Sequence, residues 1–206
     1  MLPAVHILVL AAGASSRMRG QDKLLQLIKG KPILRRVTET ALGTGAQVFV
    51  TLPPSAEARR AVIQHLAARV VEVPDAMDGM SRSIVRGLSA IVASDPGPED
   101  GVMILPADMP GFSTKALADL ISRFRAEPDQ IWRGGTTDGQ AGHPAILPRD
   151  LWTELALISG DEGGRAVLRR HQDRVRVVPL PGPMAVLDLD TPEDWAAYLG
   201  HAPRSG

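Results

Sequence analysis

The run Val5-His6-Ile7-Leu8-Val9-Leu10 is apolar at all but one position and passes directly into Ala11-Ala12-Gly13-Ala14-Ser15. A short, almost unbroken apolar run reads as a strand covered on both faces, because a strand with one wet face would alternate apolar and polar residues. Such strands belong to parallel sheets, and the small residues that follow form a loop at the strand's carboxyl end. This junction restricts the chain to α/β architectures. Ala4 to Ala12 also imitates a secretory leader. No Lys or Arg precedes it, His6 interrupts it, and it is too short to span a bilayer, so a strand is expected.

The alternation continues down the chain. Lys31-Pro32 opens a helix whose apolar positions, Ile33, Leu34, Val37, Ala41 and Leu42, recur at helical spacing. Ala46 to Leu52 reads as a strand, Ser55 as the cap of a helix to Leu66, and Arg69 to Val73 as a strand. After a loop from Pro74 to Met80, Ser81 to Val92 is helical. Val102 to Leu105 is a fourth buried strand, ending in Pro106-Ala107-Asp108-Met109-Pro110. Ser113 caps a helix to Arg125. Gln130–Trp132 and Pro144–Leu147 are strands around a mobile, glycine-rich stretch from Gly134 to Gly142. Short helices cover Arg149–Ile158 and Gly164–His171, and strands cover Val175–Leu180 and Ala185–Leu189. A closing helix runs from Pro192 to Leu199, and His201 to Gly206 forms a flexible tail. One domain, 1–200, is expected, with a mostly parallel sheet between two helical layers.

The 206 residues carry 23 Lys+Arg and 23 Asp+Glu, 3% aromatics and no cysteine. A net charge of zero argues against a general nucleic-acid or anionic-membrane binder. So few aromatics supply no base-stacking platform. Without cysteine there is no disulfide frame, thiolate metal site or Cys nucleophile, which fits a cytoplasmic, reducing setting. The neutral total conceals asymmetry. Between Ala11 and Arg36 seven cations face the single anion Asp22, whereas seven carboxylates face three cations from Ser94 to Gln130. The first stretch suits phosphate and the second a cation; solvated helix faces are the alternative.

In open α/β sheets ligands bind beyond the carboxyl ends of strands, which singles out the loops Ala11–Lys23 and Pro106–Pro110. In the first, small residues let backbone N–H groups approach an anion, Arg17 can fork onto phosphate oxygens, and Lys23 can place a point charge. The loop lacks both the G-x-G-x-x-G of a dinucleotide turn and the G-x-x-x-x-G-K-[ST] of a P-loop. In the second, Asp108 suits Mg²⁺ or a plain turn. Asp188, alternating away from Leu187 and Leu189, is the better second metal ligand; Asp190 or Thr191, ahead of Pro192, starts a helix, so Asp190 reads as a cap before it reads as the alternative ligand. Ser81 is an N-cap or a hydroxyl donor, and His143 is structural or ligand-binding. His6 and the three tryptophans, Trp132, Trp152 and Trp195, read as core.

Six segments in order, Leu10-Ala11-Ala12-Gly13-Ala14-Ser15-Ser16-Arg17-Met18 with Lys23, Gly79-Met80-Ser81-Arg82-Ser83, Pro106-Ala107-Asp108-Met109-Pro110, Gly142-His143-Pro144, Gly160-Asp161-Glu162-Gly163-Gly164-Arg165 and Asp188-Leu189-Asp190-Thr191-Pro192-Glu193-Asp194, span about Val5 to Leu199. Together they resemble the molybdenum cofactor nucleotidyltransferases of the MobA-like NTP transferase family. Ala11-Ala12-Gly13 is similar to the cytidylyltransferase version; guanylyltransferase relatives tend to carry two glycines there. One departure is Arg19, which stands between Met18 and Gly20 where the family places Gly directly after Arg-Met.

The resemblance implies a Rossmann-like GTA-type fold, a three-layer α/β/α sandwich, and Mg²⁺-dependent transfer of CMP from CTP to the phosphate of molybdopterin, with release of pyrophosphate. It implies catalytic roles for Arg17, Lys23 and Asp108. Leu10, Ala11, Ala12, Gly13, Ala14, Ser15, Pro74, Ser81 and Ser83 would line the nucleotide, and His143, Asp161 and Arg165 the acceptor. Asp108 and Asp188 would hold the metal, and a molybdoenzyme of the xanthine dehydrogenase type would receive the product. Two other readings stand beside it: a transferase of the same fold using GTP or a sugar or polyol phosphate, and a non-catalytic binder that delivers the cofactor. Retention of Arg17, Lys23 and Asp108 weighs against the binder.

Overall fold

Along β1 (Val5–Leu10) successive side chains enter two different cores. The computed structural model describes residues 2–15, 18–160 and 163–201, His201 by its backbone only. In chain order β1 is followed by a 3-10 turn at Lys23–Leu25, β2 (Leu27–Ile28), β3 (Lys31–Pro32), α1 (Ile33–Leu42), β4 (Val48–Leu52), α2 (Glu57–Ile63), β5 (Arg69–Glu72), α3 (Met80–Val92), β6 (Gly101–Pro106) and α4 (Thr114–Ala126). Then come β7 (Ile131–Gly135), β8 (Ala141–Pro148), α5 (Trp152–Leu155), α6 (Arg165–Arg170), β9 (Val175–Pro179) and α7 (Pro192–His201).

Ile7 and Val9 pack with Ile33, Leu34 and Val37 of α1 and Leu117, Leu120 and Phe124 of α4. Leu8 packs on the opposite face with Ile84, Leu88 and Ile91 of α3 and Trp152 and Leu155 of α5. This two-sided burial explains the unbroken apolar run. Helix α3 lies so close to the sheet that a Cβ on Gly87 would stand 2.2 Å from Leu8 Cδ1.

The main sheet has the order β5-β4-β1-β6-β8-β7-β9. β1 pairs in parallel with β4 and β6, β4 with β5, and β7 with β9; β8 runs antiparallel between β6 and β7. The mostly parallel three-layer α/β/α arrangement is therefore present. His6 and the tryptophans are core residues. His6 is 6% exposed, its Nε2 lies 3.2 Å from Asp100 Oδ2, and its ring stands edge-on to Phe49 and Trp152.

Several boundaries differ from expectation. Ser55 caps nothing: α2 begins at Glu57, with Ala56 at its N-cap and no side-chain bond there. Lys31 and Pro32 pair with Ile28 and Leu27, so the helix begins one residue later. Gly134 and Gly135 lie in β7, and Ala141 and Gly142 in β8, so both ends of the glycine-rich stretch are sheet, joined by a short turn. Ser113 does cap α4, its hydroxyl accepting from Ala116 N at 3.2 Å.

Ala185–Leu189 is not a strand. It joins no sheet ladder, although the outer edge of β9 is open; its backbone bond to β8 runs from the His143 amide to Ala185 O. It turns instead, with the Val186 and Leu187 amides both donating to Pro183 O. Its apolar alternation comes from burying Ala185 and Leu189 against the core.

Candidate active site

β1 and β6 are in register, Leu10 opposite Pro106, so the loops that leave their carboxyl ends lie side by side. The first loop is tied to the sheet through the buried Thr51, whose hydroxyl lies 3.3 Å from both Ala11 N and Val9 O. The second is joined by the Ala107 amide donating to Leu10 O at 3.1 Å. Small residues through Ala14 allow this crowding, with Ala11 and Ala12 buried. Met18 folds back into the core. Asp22 then caps the 3-10 turn, its carboxylate accepting from Leu24 N, and this turn aims Lys23.

Lys23 Nζ donates to Asp108 Oδ2 at 2.5 Å and to Asp190 Oδ1 at 2.6 Å. All three side chains are largely buried. Burial works against the ammonium, but Asp108 and Asp190 outweigh it and hold the Lys23 pKa above its ordinary value. Asp190 reaches this point through two contacts. The Leu189 amide donates to Asp108 O at 3.1 Å, pinning the segment to the β6 loop. Thr191, rather than Asp190, starts α7: its hydroxyl accepts from Asp194 N while its own amide donates to the Asp194 carboxylate. That reciprocal capping box removes the need for an Asp190 cap.

Asp188, the residue favoured from sequence as second metal ligand, is exposed. Partial burial raises its carboxyl pKa, and the fields of Asp190 and Asp108 add to the shift. Three carboxylates thus share one region, with one lysine among them. Their hard oxygen donors suit Mg²⁺ or Mn²⁺. Among the described residues no cluster of three or more His, Asp or Glu is arranged as a metal cage.

His143, in β8, faces the same region. Burial pushes its pKa down to about 4, with Arg133 and Arg165 adding to the shift and Asp108 opposing it. It is therefore neutral at pH 7, and its buried Nδ1 has no hydrogen-bond partner among the described residues. Arg133 donates from Nε to Gly142 O at 3.1 Å, and its pKa is lowered by burial and by the nearby Arg165.

Pro74 is exposed beyond β5. Asp75 beside it is held to about 2 by Arg86 and Arg82. Ser81 and Ser83 are buried in the first turns of α3. Ser81 is not the cap: Gly79, at φ 109°, occupies that position, and the Ser81 hydroxyl has no partner among the described residues. Arg19 pairs with Glu193 on the surface at 2.8 Å. Arg17 and Asp161 lie outside the described residues.

Two residues at this place escaped sequence reasoning: Arg59 and Arg133. Arg59 is 6% exposed and binds the first loop from α2. A sequence signal existed, since Arg59 stands four residues before the buried Ile63, on the inward face of a helix. Arg133 carried none.

A loop of small residues, a largely buried lysine and carboxylates gathered at the carboxyl ends of two parallel strands form the arrangement of a nucleotidyl-transfer enzyme. The chain belongs to the MobA-like NTP transferase family, whose domain matches residues 7–175. Nicotine blue oxidoreductase of Paenarthrobacter nicotinovorans is 27% identical over 204 residues, 96% of this chain and 98% of that one. Molybdenum cofactor guanylyltransferase of Burkholderia vietnamiensis is 30% identical over 177 residues, 82% of this chain and 84% of its own. Among solved structures, Rv0371c from Mycobacterium tuberculosis superposes with a TM-score of 0.81 at 27% identity, over 97% of this chain and 100% of that one. A manganese complex of Rv0371c superposes at 0.77 and 25% identity, with the same coverage. The chain is a nucleotidyltransferase of this family.

Proposed function

We propose that the protein transfers CMP from CTP to a phosphate of the molybdenum cofactor and releases pyrophosphate. The observation that carries nucleotidyl transfer is the contact of Lys23 with both Asp108 and Asp190 at the shared carboxyl end of β1 and β6. The attacking phosphate oxygen is already ionised near neutral pH, so positioning and charge neutralisation dominate over proton removal. Lys23 places its ammonium on charge developing at the α-phosphate. Amides of the loop from Ala11 to Ser15, with Arg17, hold the β- and γ-phosphates. Asp108, with Asp190 or Asp188, would hold Mg²⁺ or Mn²⁺, which supplies Lewis-acid neutralisation of phosphate oxygens when bound. His143, Arg133 and Arg165 face the acceptor, with Asp161 four residues before Arg165 in sequence, and Pro74, Ser81 and Ser83 lie toward the base and ribose.

Ala11-Ala12, in place of a glycine pair, supports CTP. The name of the Burkholderia relative favours GTP as the second reading. Thermal unfolding with each of the four nucleoside triphosphates and Mg²⁺ separates them. CTP should raise Tm most; at 100 times its Kd a ligand adds about 2.7 kcal/mol. A larger shift with GTP would replace the cytidylyl assignment by guanylyl transfer. Pyrophosphate release on adding molybdenum cofactor then tests the acceptor. In that assay Lys23→Ala should lose roughly 100-fold or more of turnover; full turnover would remove Lys23 from the chemistry.

A further inference from the structure

Arg59 binds groups that lie 37 to 48 residues away in sequence. Its Nη1 donates to Ala11 O at 2.7 Å and to Gly13 O at 2.9 Å. Its Nε and Nη2 fork onto Asp22 at 2.7 and 2.9 Å, and Nη2 also donates to Ser15 Oγ at 3.2 Å. A guanidinium has five N–H donors, and all five are engaged within the chain. Arg59 therefore has nothing left to offer a ligand directly, and Asp22 already balances its charge.

Its influence passes through the peptide planes it holds. In a trans peptide the C=O and the following N–H point to opposite sides. The one cis bond among the described residues is His143–Pro144. Turning the Ala11 and Gly13 carbonyls onto Arg59 therefore turns the Ala12 and Ala14 amides away from it. Neither amide donates to any group among the described residues. Ala12 is only 5% exposed, and a buried amide without a partner is uncommon.

We propose that Arg59 is a positioning residue: by holding the Ala11 and Gly13 carbonyls it presents the Ala12 and Ala14 amides as a pair of donors for nucleotide phosphate. The inference rests on the nucleotidyl-transfer reading and deepens it. It adds a specific distinction, because Arg59 acts by geometry rather than by charge. Lysine keeps the charge but cannot span two carbonyls, a hydroxyl and a carboxylate in one plane.

The test compares wild type with Arg59→Lys, using MgCTP, MgGTP and inorganic triphosphate as probes and steady-state kinetics as a second readout. Arg59→Lys should weaken triphosphate binding and raise the nucleotide KM about tenfold, or about 1.4 kcal/mol, with the acceptor KM unchanged. Equal affinity in a folded Arg59→Lys protein would overturn the role of Arg59 and leave nucleotidyl transfer standing. A wild type that binds neither nucleotide nor triphosphate would bring down both. Should Arg59→Lys fail to fold, amide NMR of the wild type decides: the Ala12 and Ala14 signals should shift on adding triphosphate, and unchanged signals would overturn the proposal.

Discussion

At Lys23 burial and charge act in opposite directions. Desolvation disfavours the ammonium, and the two carboxylates more than restore it. Because its folded pKa is raised, the stabilisation it brings is fully present below its ordinary value and is lost only as pH rises through the higher folded one. At neutral pH it is a fixed positive charge. His143 is the opposite case. Its pKa falls from 6.5 to about 4, since burial favours the neutral ring. Its contribution is full above pH 6.5 and declines as pH drops from there toward 4, where the folded form takes up its proton. The shift corresponds to about 3 kcal/mol across that window. His143→Gln should therefore flatten the fall in unfolding free energy between these pH values, measured by urea titration against wild type. An unchanged slope would mean that His143 is not held neutral by its surroundings.

The segment between β9 and α7 brings Asp190 to Lys23, and it approaches the sheet closely at Gly142. A Cβ on Gly142 would lie 1.9 Å from Ala185 O, and the adjacent His143 amide donates to that same oxygen at 2.7 Å. Gly142→Ala must push the segment off β8. A loss of about 1–3 kcal/mol in stability is expected, together with turnover reduced beyond what the folded fraction explains. Full turnover per folded molecule would show that Asp190 does not depend on this contact. The buried strands β1, β4 and β6 and the alternation with helices were legible because continuous apolar runs have few other uses. Lys23 and Asp108 were legible because they leave the carboxyl ends of those strands. Ala185–Leu189 misled because burying alternate apolar residues against a core needs no ladder. Asp190 stayed divided between cap and ligand because Thr191 offers the same capping chemistry one residue later, and Thr191 is the one that caps α7. Arg59 was hidden because its partners, Ala11, Gly13, Ser15 and Asp22, come from the first loop, and its helical spacing to Ile63 marks only an inward face.

Across the molecule, the basic stretch from Ala11 to Arg36 is largely answered by carboxylates elsewhere. Arg19 meets Glu193, Lys23 meets Asp108 and Asp190, and Lys31 and Arg35 share Glu39. The exposed pairs contribute little to stability individually. Their joint effect is a surface with no net charge at pH 7. Such molecules repel one another weakly. At low ionic strength solubility should pass through a minimum near pH 7 and rise toward about pH 5.5 and about pH 8.5, as read by static light scattering. A monotonic trend would show that local patches rather than the total govern association.

The two outer strands decide what form that association takes. β5 carries exposed Arg69 and Glu72 at its ends, while β9 has exposed Arg176 and finishes in Pro179. Charged side chains and a proline on a sheet border discourage an incoming strand, because each addition would bury a charge or meet a missing N–H. Neutral molecules that crowd together at pH 7 therefore meet through side chains and not by extending one another's backbone ladder. The precipitate should be amorphous and redissolve when the pH is moved.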